Sequence, residues 1–172
     1  MSEETSGASQ PARYWIEQLQ RSSTGDGRWH DAIEALQLVG RPAAAELIAV
    51  LDHPSIDVTR GVRKALKGIG PAMLPQLGEA LCTSRPIVRL AAAMVFHAMG
   101  ADAAPAIESL IAALQDEDYC VRQWAAGALG AMGTAALPAL PALMRSIEQE
   151  GDETALEWMR LAVERIEWEP YQ

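Results

Sequence analysis

Four cations stand at helical spacing in Arg60, Arg63, Lys64 and Lys67. Offsets of 0, 3, 4 and 7 put all four on one face of a helix, with Val58, Val62, Leu66 and Ile69 turned to the core. Such a stripe can hold an acidic peptide, a phosphate or the acidic tail of another copy. The plainer reading is a solvated outer face, because exposed helix positions are commonly charged. Other chemistry-bearing residues are dispersed. His30, His53 and His97 are far apart, and none stands beside a nucleophile and a carboxylate in the order a proton relay needs. Cys82 and Cys120 form no C-x-x-C pair and read as reduced packing residues, since a zinc site wants several closely set ligands. Gly68-Ile69-Gly70 runs into Pro71 and reads as a helix end, not a phosphate loop. The expectation is a non-enzyme with no metal and no cofactor.

Charge and length narrow the class further. With 14 Lys plus Arg against 23 Asp plus Glu, the net charge of −9 argues against a nucleic-acid surface, which needs a basic footprint. Residues 1–10 are acidic and small, with neither the basic start nor the apolar run of a signal peptide. No apolar run long enough to span a bilayer escapes a charge, so no membrane contact is expected and the location is read as cytoplasmic. The tail 1–10 is too polar to offset its ordering entropy, leaving residues 11–172 as one domain.

These residues must be positioned by elements that repeat. Placing Gly133 over Gly100 sets Val121 on Val88, Arg122 on Arg89, Ala125-Ala126 on Ala92-Ala93, Leu129 on Phe96 and Met132 on Met99. Gly70 and Gly40 continue the series, so the glycines at 40, 70, 100 and 133 are spaced by 30, 30 and 33 residues. Seven residues after each glycine stand Leu47, Leu77, Ile107 and Leu140. Each unit is thus helix, glycine turn, helix, and neither helix buries its apolar stripe without a neighbouring unit. Second helices are expected from Pro42, Pro71, Ala103 and Ala135, with Pro75, Pro105 and Pro138 in their early turns. Pro11 to Arg21 predicts a capping helix, and Glu153 to Trp168 a last helix without a partner after it.

The run Val-Arg, Ala-Ala, Ala-Leu-Gly and Met-Gly, followed by Ala136-Leu137-Pro138-Ala139-Leu140 and the turn Asp116-Glu117-Asp118, resembles the HEAT-like repeats first associated with phycobilisome lyases. The resemblance covers roughly residues 28 to 168 and is weakest in the first unit, where Arg28-Trp29 replace Val-Arg. It implies an all-α right-handed superhelix of about four HEAT-like helix pairs, armadillo-like, with the two terminal helices added. It also implies that Arg89 and Arg122 join turn acids in a ladder, with Asp116 and Asp118 as the acids here and Asp57 serving the second unit. Metal oxygenases built on similar repeats use His-Glu pairs that this sequence lacks. Fold likeness is a weak warrant for chemistry, so a phycobilin-lyase-like subunit holding a tetrapyrrole stands as the alternative reading.

Two surfaces remain for a protein partner of unknown identity. The first is the groove of the second helices, whose non-core positions are mostly small: Ala49, Gly78, Ser109, Ala112, Ala113, Ala142 and Ser146, with Glu79 and Arg145 among them. The second is the C-terminal edge. Ala155, Met159, Ala162 and Ile166 should face the fourth unit, while Trp158, Leu161 and Trp168 lie to one flank. Trp124 shares the repeat register of Trp158, so the two either stack along one edge or pack between layers. From Glu148 onward eight acids face two arginines, a net −6, which polarises the chain. The functional expectation is therefore a scaffold that binds another protein through Arg60, Arg63, Lys64 and Lys67 for charge and Trp124, Trp158 and Trp168 for apolar contact. A homo-oligomer pairing the acidic end with the basic second unit is the remaining alternative.

Overall fold

The computed structural model describes residues 10–168. The tail expected over residues 1–10 therefore lies outside the described residues, Gln10 excepted, as does Glu169 of the acidic end. Every regular element among the described residues is helical, in the paired arrangement of an α-solenoid. Contacts cluster the chain into two compact units, one up to Gln76 and one from Leu77.

The first unit contains α1 (Ala12–Gln20), α2 (Gly27–Val39), α3 (Ala44–Ala49) and α4 (Ile56–Ile69). Ala12, Ile16 and Leu19 are the buried residues of α1, which packs on α2 and α4. Leu19 fills a notch in α4 where a Cβ on Gly61 would lie 2.7 Å from Leu19 Cδ1. Trp29 stands where the repeat pattern places arginine. It is buried, and its indole N–H donates to the Asp57 carbonyl at 3.1 Å. An aromatic side chain here ties neighbouring elements together with one hydrogen bond and a large apolar surface. The carboxylate of Asp57 accepts from the Thr24 hydroxyl, so its task is to fix the 22–26 loop, and the expected ladder arginine is not its partner.

In the second unit, α5 (Leu74–Ala80) crosses the division and is followed by α6 (Pro86–Met99), α7 (Ile107–Ala113), α8 (Tyr119–Ala131), α9 (Leu140–Gln149) and α10 (Glu153–Glu167). Helix α8 lies between α6 and α10 and packs on both. Close approach to α10 depends on two glycines: a Cβ on Gly130 would meet Ala162 Cα at 2.9 Å, and one on Gly127 would meet Trp158 Cζ3 at 2.5 Å. The stripe Ala155, Met159, Ala162 and Ile166 is buried as its spacing predicts.

The four repeat glycines share one backbone device. Gly40, Gly70, Gly100 and Gly133 have φ of 70°, 74°, 58° and 58°, and the ψ of Gly40, Gly70 and Gly100 lies between −131° and −156°. That region is open essentially only to glycine. The structure differs from expectation just after these turns. The chain runs as 3₁₀-helix over Arg41–Ala43, Gly70–Met73, Gly100–Ala106 and Gly133–Ala139, so α-helix begins at Ala44, Leu74, Ile107 and Leu140. Pro105 and Pro138 lie within the 3₁₀ stretches. A proline's missing N–H costs little in a first helical turn, α or 3₁₀, where that N–H would have no helical partner.

Pro86–Ala113 is long and apolar enough on composition to cross a membrane, but Gly100 divides it. Helix α6 has 14 residues, about 21 Å of rise against a hydrocarbon core of roughly 30 Å. One packing expectation fails: Cys82 is exposed, just beyond α5, and Cys120 is half-buried at the start of α8.

Candidate functional site

The repeat arginines are committed to the fold. Arg89 donates from Nε to Asp116 Oδ2 at 2.7 Å, from Nη2 to Asp116 Oδ1 at 2.9 Å, and from Nη1 back to the Thr83 carbonyl at 3.0 Å. Arg122 repeats the arrangement one unit on: Nε and Nη2 donate to Glu150 at 2.6 and 2.7 Å, and Nη1 to the Asp116 carbonyl at 2.8 Å. Each arginine thus ties the preceding turn to the following one. The paired carboxylate raises the pKa of Arg89, and Arg122 holds the Glu150 carboxyl below its ordinary range through hydrogen bonding. Asp118 is not the second ladder acid. It caps α8 by accepting from the Cys120 N–H, and Asp152 caps α10 in the same way. Glu150 was legible after all: Asp116 and Glu150 each stand two residues before a helix-capping aspartate.

Trp124 and Trp158 come together, with ring centroids 5.2 Å apart. His97 joins them at 5.3 Å from Trp124 and 6.0 Å from Trp158. All three are half-buried, and the Trp158 ring lies over the bare Cα of Gly127. Sequence reasoning paired the tryptophans but missed the histidine, whose register differs from theirs. Centroids this close leave no space between the rings for a ligand, so the cluster works as packing across three helices. Trp168 is 65% exposed just past the end of α10, and Leu161 is 39% exposed on that helix.

On α4, Arg60, Lys64 and Lys67 are exposed and Arg63 is half-buried. The Lys64 ammonium lies 5.5 Å from the Trp29 ring centroid. Burial first, and the charge of Arg60 second, push the Arg63 guanidinium pKa down. In the second unit the expected groove is narrower than its sequence suggests. Ala113, Ala142 and Ser146 are buried, whereas Glu79, Ala112 and Arg145 are exposed. Ser146 is withdrawn because its hydroxyl accepts from the Gln115 amide at 2.9 Å. These two line a polar cleft of about 320 Å³ with Arg122 and Glu150, and the four satisfy one another in pairs.

His30 is exposed, and His53 Nδ1 accepts from the Ser55 N–H at 3.1 Å. Among the described residues no group of three or more His, Cys, Asp or Glu side chains is placed to hold a metal ion.

Comparison with known proteins agrees with this geometry. In fold the chain is similar to a chain from the complex of CpcE and CpcF of phycocyanin lyase from Nostoc sp. PCC7120, with a TM-score of 0.62 at 20% identity over 88% of this chain and 96% of that one. It is also similar to a designed armadillo repeat protein in complex with the peptide (KR)4, with a TM-score of 0.55 at 18% identity over 88% and 80% of the two chains. No curated protein matches the sequence significantly. The family model for HEAT repeats matches residues 74–164, more than half of the 172 residues. With its repeat arginines, turn glycines and stacked helices in place, the chain belongs to the HEAT-repeat family.

Proposed function

We propose that this chain is a non-catalytic scaffold that binds another protein. The observation that carries the reading is the C-terminal end of the second unit, where Leu161 and Trp168 stay exposed on and beside α10 while Trp158 is half-buried against Trp124. Tryptophan is enriched at interface hot spots, where a large apolar ring with one polar atom is desolvated by a partner. Both similar structures named above are complexes with protein or peptide partners, which supports the class without naming the partner.

The test is capture from native lysate with the wild-type chain beside a Leu161→Ala, Trp168→Ala variant. Trp158 is left intact because removing it would open the His97–Trp124 packing and confound binding with folding. Retention of a protein by the wild type alone supports the reading, and equal capture by both chains removes the C-terminal end from it. A second reading, a tetrapyrrole-holding subunit, is favoured by the likeness to the phycocyanin lyase chain. Mixing with a bilin and finding an unchanged visible spectrum would exclude it.

A further inference from the structure

Arg28, Arg89 and Arg122 each hold a carboxylate of their own. By contrast, Arg60 and Lys64 on α4, and Glu153, Glu157 and Arg160 on α10, are exposed and form no ion pair with any described residue. Arg60 and Lys64 stand four apart on one face of α4, and Glu153 and Glu157 stand four apart on one face of α10. Each pair spans about 6 Å of helix axis, so the two cations can meet the two carboxylates in register.

We propose that α4 of one copy docks on α10 of a second copy, with Arg60 and Lys64 opposite Glu157 and Glu153. Each copy carries both faces. The pairing is either reciprocal within a dimer or continues from copy to copy, according to whether the operation closes. Exposed charge pairs set register and encounter rate more than strength, so the association is weak and depends steeply on salt. It uses side chains that the Leu161 and Trp168 variant leaves in place, and the two proposals fail separately.

The experiment is sedimentation equilibrium on the full chain at about 20 mM and about 500 mM salt, where the screening length falls several-fold. Expected are a mass above the monomer at low salt and an apparent dissociation constant at least roughly tenfold weaker at high salt. Two charge-reversed chains give the decisive step, Arg60→Glu with Lys64→Glu, and Glu153→Lys with Glu157→Lys, both first shown to be helical by circular dichroism. Each alone should be monomeric, and an equimolar mixture should associate again, because the acidic α4 of one meets the basic α10 of the other. A wild-type chain that stays monomeric at low salt up to about millimolar concentration would overturn the proposal. So would a mixture that fails to associate, since the self-contact would then lie elsewhere. If a basic peptide binds wild type but the mixture stays monomeric, α10 takes a foreign cationic helix and the homotypic contact is wrong.

Discussion

At Glu150 one carboxylate serves three donors: Arg122 Nε, Arg122 Nη2 and the Asp152 N–H, the last at 2.9 Å. Only 2% of its side chain is exposed. Its folded pKa lies below the ordinary value of 4.5, so protonation is harder in the native than in the unfolded chain. The linked stability is complete at neutral pH and is lost as pH falls from the ordinary carboxylate range through the depressed folded value. Glu150→Gln keeps the shape but removes the charge, and should cost roughly 2–3 kcal/mol at pH 7, discounted from a fully buried pair because Arg122 is partly exposed. The difference between variant and wild type should shrink on titration toward pH 3 in urea melts, and a constant difference would mean the charge is not what matters. The ladder arginines were readable from their recurrence. The second acid was assigned to Asp118 because Asp116 and Asp118 look alike in sequence, whereas in the fold Asp116 takes the guanidinium and Asp118 caps α8.

At the scale of elements, helix order, the glycine turns and the buried face of α10 were all legible, because hydrophobic period and a fixed glycine are local signals. The starts of the second helices were not. Prolines at 75, 105 and 138 suit a first α-turn and a 3₁₀ turn equally well, and packing makes the choice. Nor was the closeness of α8 to α10 visible: Gly127 and Gly130 look like weak helix formers until a neighbouring helix needs the space. Gly130→Ala improves intrinsic helix propensity by up to about 1 kcal/mol, yet it must push backbone at Ala162. The net expectation is a loss of about 1–3 kcal/mol from overpacking. Chemical denaturation would check this, and a stabilised variant would show that α10 can move away without penalty. The exposure of Cys82 was missed because cysteine is treated as a core residue by composition, whereas its position just beyond α5 decides.

For the molecule as a whole, the net charge of −9 and a sequence pI near 4.8 set colloidal behaviour more than fold. Solubility should pass through a minimum near pH 4.8 and recover at neutral pH, as turbidity against pH at constant salt would show. A minimum displaced above pH 6 would indicate that folding removes far more carboxylate charge than the described ion pairs account for. The candidate surfaces were only partly readable at this scale. The cation stripe and its four residues were evident from spacing, but which charges already have partners is a property of the folded chain.

The turn at Asp116-Glu117-Asp118 is held from two directions, by Arg89 through the Asp116 carboxylate and by Arg122 through the Asp116 and Glu117 carbonyls. Splicing an epitope tag or fluorescent reporter in at 117 would therefore detach two successive repeats from each other, although the site looks like an ordinary surface loop.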